Sequence, residues 1–335
     1  MEFTEKISII IPTYNMEAWL ARCVKSVCEQ TYPVALTEVI IVDNGSTDGT
    51  PALTKKLAEQ YPQLRVIRRE EGDVSAARNA GIRASTGKWI GFVDSDDYVS
   101  PQMYELLAGA LLKHGTQIAQ VARREVSPDG AVLGDMVVPP EKECVTDTTA
   151  FLKTLLLHEG DTSFCTKLIA RDLFTEESMF PEGVRNEDFR LMIKLLGRTD
   201  RIAMLPSRCY HVVHVSGSGS RPDPSKKDSF PPGFAGAVEG ADEAEALVAK
   251  QYPQFTEIAR RFALVQRLDY LLHIPLSRMT ADNRMYTEVV RYLKTHRADI
   301  GGNAYLTEKE RKNLKILSYA PKLSRRVHGM LMKLR

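Results

Sequence analysis

Residues 89–97 read Trp89-Ile90-Gly91-Phe92-Val93-Asp94-Ser95-Asp96-Asp97, a short apolar run that ends abruptly in three carboxylates within four positions. The run has the length and continuous apolarity of a strand buried on both faces in a parallel sheet. Outward from it, Ile7 to Ile11, Val39 to Val42, Leu64 to Ile67 and Ile118 to Val121 have the same character. Between them, residues 18–30, 51–60, 75–84 and 101–114 place small or apolar side chains at three and four spacing, and Ser100 before Pro101 reads as a cap and first turn. Alternating strands and helices predict a parallel sheet with right-handed crossovers.

Ligands of such sheets bind outside the carboxyl ends of the strands, so the residues that follow each run matter most. The first run ends in Pro12-Thr13-Tyr14-Asn15, the second in Asp43-Asn44-Gly45-Ser46-Thr47-Asp48-Gly49, and the fourth in the acids above. Clustered carboxylates repel one another unless a cation or water relieves them. Magnesium or manganese takes one or two carboxylates plus diphosphate oxygens, which Asp94 and Asp96 can supply. The same acids also fit a turn with Asx hydrogen bonds, and the pattern alone does not choose. Asp43 stands where a carboxylate can accept a hydrogen bond from a nucleotide base, while Ser46, Thr47 and Gly49 read as a turn and cap. Arg78 interrupts the small-residue face of Ser75 to Gly81 and reads as a nucleotide contact or a surface ion pair.

Together these stretches resemble the family 2 glycosyltransferases of the GT-A fold. The resemblance is carried by Ser8 to Asn15, Val42 to Thr50, Ala77 to Gly81, Phe92 to Asp97 and Asn186-Glu187-Asp188-Phe189, in the family's order over residues 7–190. It implies a Rossmann-like, mostly parallel sheet flanked by helices, with a helical C-terminal extension. It also implies that Pro12, Thr13, Tyr14 and Glu17 line the nucleotide-sugar site and that Asp43, helped by Arg78, holds the base, usually uracil. Asp94 and Ser95 would contact the donor. Asp96 and Asp94 would ligate Mn2+ or Mg2+, with His211 as a third ligand. Asp188 would be the general base, with Glu187 beside it. Asn44 departs from the pattern, standing where a second aspartate is common.

A single base opposite the leaving group predicts inversion at the anomeric carbon. The acids of 187–188 equally suit the first turn of a helix, whose dipole favours them. The expected partners are a nucleotide-sugar donor and a glycan or lipid-linked acceptor, as in bacterial surface polysaccharide or glycolipid assembly. A sugar-phosphate nucleotidyltransferase would need a glycine-rich loop that Pro12 to Asn15 does not offer. A non-catalytic, membrane-tethered nucleotide-sugar scaffold remains an alternative.

A net charge of +2 over 335 residues gives no field that would select nucleic acid. Five cysteines without a CxxC pair suit reduced thiols, and no apolar run is long enough for a signal peptide or membrane span, so a cytoplasmic protein is expected. From about residue 150 the pattern reads as mainly helical, broken by a Gly/Ser/Pro-rich loop over 216–240. The expected domains are 1–240, with the donor side in 1–125 and the acceptor side and base in 126–240, and a helical region over 241–335. The loop reads as a closing lid or a plain connector. The last helix, basic with Leu323, Val327, Met330, Leu331 and Leu334 on one face, reads as a peripheral membrane contact through 320–335. Its alternatives are docking on the catalytic domain or on a second subunit.

Overall fold

The structure is a computed structural model that describes residues 2–70, 72–214, 230–231 and 233–326. The chain divides into two units, one of residues 1–155 and 159–215, the other of 156–158 and 216–335.

The first unit is built on one sheet. Its strands are β1 (Ile7–Thr13), β2 (Thr37–Asn44), β3 (Leu64–Arg69), β4 (Trp89–Phe92), β5 (Tyr98–Val99), β6 (Ile118–Val126), β7 (Val132–Asp135), β8 (Cys144–Asp147), β9 (Lys167–Ala170) and β10 (Arg201–Val213). They lie in the order β3-β2-β1-β4-β9-β6-β10-β5, with β7 on β6 and β8 on β10. The helices of this unit are α1 (Leu20–Cys28), α2 (Thr50–Gln60), α3 (Val74–Ala84), α4 (Met103–His114), α5 (Thr148–Leu156, whose last residue belongs to the second unit) and α6 (Glu187–Leu196).

The half β3-β2-β1-β4 is parallel throughout. β1 and β2, buried at every position, are its centre, as their unbroken apolar runs require. β3 closes the edge with Arg65, Arg68 and Arg69, charges that guard an open edge against further pairing. Because the order reverses between β2-β1 and β4, the ends of β1 and β4 border the crevice where ligands of such sheets bind. Asp73 caps α3, accepting the Ala76 N–H at 2.8 Å. Gly81 lets α3 lie close on β1, since a Cβ there would stand 2.4 Å from Ile10 Cγ2.

The other half is mixed. β9 runs antiparallel to both β4 and β6, and β10 lies parallel to β6 but antiparallel to β5 and β8. The mainly helical reading after residue 150 missed β9 and the thirteen-residue β10. β10 carries Pro206 and two arginines, and its register with β6 shifts between Met204 and Arg208, so it has neither strict alternation nor a continuous apolar run. Ser100 does not cap a helix. Its hydroxyl meets His211 Nε2 at 3.0 Å, and α4 starts two residues after Pro101.

The second unit comprises α7 (Gly233–Gln251), α8 (Thr256–His273), α9 (Arg284–Thr295), α10 (Arg297–Gly302) and α11 (Glu308–Tyr319). Leu264, Leu268, Leu271, Met279, Leu293, Ile300, Leu314 and Leu317 form its core. Part of the loop expected over 216–240 is helix, because α7 begins at Gly233. Its buried Gly236, Val238, Gly240 and Ala241 form a small-residue face that composition alone reads as loop. The rest of that loop, residues 216–229 and 232, lies outside the described residues, as does 327–335 of the basic tail. Thr307 and Glu310 form a capping box on α11, and Arg311 donates to the carbonyls of Ile300, Gly301, Asn303 and Leu306. This basic residue of α11 is therefore structural.

Candidate active site

Strand register brings the first two motifs together, because Thr13 at the end of β1 is paired with Asp43 near the end of β2. Thr13 is buried, and its Oγ1 has no hydrogen-bond partner among the described residues. Tyr14, next after Pro12 and Thr13, is 54% exposed. The loops beyond are stapled to each other. Asn15, at φ 53°, takes the Thr47 N–H on its Oδ1 at 2.8 Å and gives its own N–H to Ser46 Oγ at 2.9 Å. The Met16 N–H donates to Thr50 Oγ1 at 2.8 Å, and Glu17 Oε2 accepts the Gly49 N–H at 3.1 Å. A Cβ at Gly49 would fall 2.2 Å from the Glu17 carboxylate, so a larger residue there would push that side chain aside.

Asp43 is buried, accepts the Ser46 N–H at 3.0 Å and is ion-paired to Arg68, which also donates to the Ser46 carbonyl. With Thr54, Val66 and Arg68 it borders an open cleft of about 520 Å³. Asn44 has a local reason to be an amide: its Nδ2 donates to the carbonyls of Gly72 at 2.5 Å and Asp73 at 3.2 Å, and a carboxylate could not.

Past β4 the acids form a turn, closed by the Asp97 N–H on the Asp94 carbonyl at 3.0 Å. Ser95 and Asp97 are buried while Asp94 and Asp96 are partly accessible, so the alternate spacing sorts the acids onto two sides. Asp97 faces inward, accepting from Tyr210 Oη at 2.7 Å and from the Val213 N–H at 2.8 Å. Burial, then the charges of Asp94 and Asp96, hold its carboxyl well above the ordinary range. Tyr210 Oη in turn accepts the Asp94 N–H at 3.1 Å, which fastens the turn to β10. Arg22, whose guanidinium lies 4.8 Å from the Tyr98 ring centroid, donates to the Asp96 carbonyl at 3.4 Å.

Arg78 is the centre of the site. It projects from α3, is buried, and lies over the Phe180 ring at 5.1 Å. Its Nη2 donates to Asp94 Oδ1 at 3.1 Å, and its Nη1 to Glu187 Oε1 at 3.0 Å and Asp188 Oδ1 at 3.1 Å. Burial works against its charge, but Asp188, Asp94 and Glu187 outweigh it and the guanidinium stays charged. The ion pair is internal rather than on the surface, and it joins two motifs. Glu187 and Asp188 do lie in the first turn of α6, where the helix dipole favours them. Asn186, at φ 64°, turns the chain into that helix. Burial, then the charges of Glu187 and Asp94, nevertheless pushes the Asp188 carboxyl up to about 7, against the opposing pull of Arg78. Asn79 holds the approach to α6, exchanging hydrogen bonds with the Phe180 main chain and donating to Glu182. Lys167, buried on β9, donates to the carbonyls of Asp161 and Ser163, and burial lowers it to about 8.

His211 stacks on Tyr98 with ring centroids 4.5 Å apart and meets Ser100 through Nε2. Its Nδ1 is buried without a hydrogen-bond partner among the described residues. Burial lowers its pKa to about 4, so the ring is neutral at physiological pH. Among the described residues no three His, Cys, Asp or Glu side chains are grouped to hold a metal by themselves. Asp94 and Asp96 offer two hard carboxylates, a donor set that fits Mg2+ or Mn2+ when diphosphate oxygens and water complete the shell.

Residues 8–176 match the family model described as glycosyl transferase family 2. The chain is 41% identical over 120 residues to the uncharacterized glycosyltransferase YibD of Escherichia coli, covering 36% of this chain and 34% of that protein. It is 32% identical over 211 residues to the uncharacterized glycosyltransferase EpsJ of Bacillus subtilis, covering 61% of this chain and 60% of that one. It thus spans less than two thirds of the length of either relative. In fold it matches the crystal structure of S. aureus TarS 1–349 in complex with UDP, with a TM-score of 0.68 at 19% identity over 98% of this chain and 91% of that one. The sheet flanked by helices, with its helical C-terminal region, is the GT-A architecture. With half of its length matched by the family model in the segment that carries Asp43, Arg78, Asp94 and Asp96, the chain belongs to glycosyl transferase family 2.

Proposed function

We propose that the protein is a metal-dependent, inverting glycosyltransferase that moves a sugar from a nucleoside-diphosphate donor to an acceptor hydroxyl. The observation that carries this reading is the bridge through Arg78, which ties the acid turn at the sheet's ligand-binding edge to a carboxyl poised near neutrality, Asp188. Pro12, Thr13, Tyr14, Glu17 and Asp43 line the nucleoside side, where Tyr14, 54% exposed, is open to a ligand. Asp94 and Asp96, on the accessible side of the turn, would hold Mn2+ or Mg2+ at the diphosphate, with Ser95 buried between them. A divalent cation at these carboxylates supplies Lewis-acid stabilisation of the charge on a departing diphosphate. Asp188 accepts the proton of the attacking hydroxyl, and a single base on the face opposite the leaving group gives inversion.

A uridine donor is supported by the fold shared with TarS, solved with UDP and with UDP-GlcNAc. Bacterial surface polysaccharide assembly is supported by similarity to the poly(ribitol-phosphate) β-N-acetylglucosaminyltransferase TarS of Staphylococcus aureus, 26% identical over 211 residues. Titrating UDP-, GDP- and TDP-sugars with and without manganese tests the donor reading. UDP-sugars bind and are slowly hydrolysed only with the metal, and failure of every nucleotide to bind sinks the reading.

The pH dependence follows from Asp188. Its carboxyl is raised to about 7, so below that pH it carries a proton and cannot take another, while above it the base is free. With saturating donor, the rate rises about tenfold per pH unit on the acid side and levels off above about pH 8. A rate that is flat from pH 5 upward removes Asp188 as the base.

The donor side is assigned to 1–125 and the acceptor side to 126–240, with the protein on the cytoplasmic face of a membrane. Among the described residues no helix is long and apolar enough to cross a bilayer. Leu323, 63% exposed in the basic tail, supports a peripheral contact through 320–335. Anionic liposomes then sediment the full chain better than a chain ending near Ser318, and equal sedimentation refutes the contact.

A further inference from the structure

Past its first residue, the exposed side of α11 consists of Lys309, Lys312, Lys315, Ile316 and Tyr319. Lys309, Lys312, Ile316 and Tyr319 recur at three and four spacing and so share one face of the helix, while Leu314 and Leu317 are buried in the core. The chain breaks at Ala320 and is helical again over 321–326, where Lys322, Leu323 and Arg326 are exposed. The only acid between Lys309 and Arg326 is Glu310, and it is engaged elsewhere. It closes the capping box with Thr307 and accepts from Arg261 Nη2 at 3.0 Å. Five exposed cations therefore stand here, and none is ion-paired among the described residues.

The apolar side chains among these cations are well out in solvent, Ile316 at 45%, Tyr319 at 72% and Leu323 at 63% exposed. They are also held in place. The Arg297 guanidinium lies 3.8 Å from the Tyr319 ring centroid and donates to the Ser318 carbonyl at 2.7 Å. Arg325 Nε donates to the Ile274 carbonyl at 3.1 Å, which ties residues 321–326 to the turn that carries the exposed Leu276 and Arg278. The surface is thus ready-made by three parts of the second unit.

Its chemistry selects the partner. A second copy would set five cations against five more with no acid to meet them. A nucleic acid would meet the lysines but leave Ile316 and Leu323 without apolar cover. An anionic leaflet satisfies both, because lipid phosphates take the lysine heads while Ile316 and Leu323 reach the acyl boundary and Tyr319 sits at headgroup level.

We propose that α11 and residues 321–326 form a folded docking surface for an anionic lipid bilayer, so that contact is carried by this face and not by residues 327–335. That the contact serves a lipid-linked acceptor rests on the glycosyltransferase reading. The binding needs neither donor nor turnover, so the two can fail separately.

Co-sedimentation with phosphatidylcholine vesicles, plain or containing about one third phosphatidylglycerol, tests it. Only the anionic vesicles sediment the full chain, and salt near 1 M, where the Debye length is about 3 Å, releases it. A chain ending at Arg326 binds within about twofold of the full chain. Lys312→Gln/Lys315→Gln and Ile316→Ser/Leu323→Ser each weaken binding about tenfold or more, while the thermal midpoint of these surface variants stays put. Equal binding to neutral vesicles, or parental binding in both double variants, overturns the proposal. So does loss of binding in the chain ending at Arg326, which would assign the contact to 327–335. Tighter binding to a short RNA than to the vesicles, or self-association that Ile316→Ser/Leu323→Ser abolishes, overturns it in favour of those partners. Vesicle binding by a preparation that transfers no sugar keeps the surface and counts against the catalytic reading alone.

Discussion

Asp188→Asn lowers the turnover of sugar transfer by about 10²- to 10⁴-fold, the usual contribution of a positioned general base. The substitution preserves shape and leaves an oxygen for the Arg78 Nη1–H that now reaches Asp188 Oδ1 at 3.1 Å. What it removes is the capacity to take a proton. The loss therefore falls on kcat, while donor affinity, measured by calorimetry with the metal present, weakens only as much as protonating Asp188 would weaken it. Glu187→Gln is the control, since Glu187 shares Arg78 Nη1 with Asp188 and is less exposed, 19% against 25%. Its effect is smaller. Near-parental turnover in Asp188→Asn would remove the assignment.

Arg78→Met lowers stability by about 3–5 kcal/mol, because removing the buried cation of an ion-pair network leaves its partners uncompensated. Here the abandoned partners are three, Asp94, Glu187 and Asp188, drawn from two elements far apart in sequence. Urea unfolding shows the loss as a lower midpoint. Where the variant remains folded, the Asp188 carboxyl rises further without the opposing guanidinium, so the acid limb of the pH–rate profile moves to higher pH. Arg78→Lys keeps the charge but not the fork that serves Asp94 on one nitrogen and the two acids on the other, so it recovers part of the stability and less of the rate. A change in unfolding free energy below about 1 kcal/mol in Arg78→Met would show the bridge to be incidental.

What the sequence discloses depends on how each element is buried. β1, β2 and β4 are covered on both faces, and their unbroken apolar runs are plain in the chain. β7 is largely exposed, β8 alternates over only four residues and β10 changes register at its proline, so none makes a comparable pattern. The site divides in the same way. Asp43, Arg78, Asp94, Asp96 and Asp188 stand in short local motifs. Tyr210, 113 positions from the Asp97 it holds, and Arg22, 74 from the Asp96 carbonyl, have no local signal at all. Arg68 comes closest to being legible, as a basic residue on the strand beside Asp43 and paired with it in register.

The shared guanidinium also makes two binding events reciprocal. Asp94 and Asp188 draw on the same cation, so protonating Asp188 leaves Arg78 more strongly attached to Asp94, and anything that draws Asp94 away returns positive potential to Asp188. By thermodynamic linkage the two effects are equal in free energy. Affinity at the acid turn should thus weaken as pH falls through the Asp188 transition, by the same factor by which occupancy of that turn favours the ionised base. One arginine thus couples the two sides of the site, so that loading either readies the other.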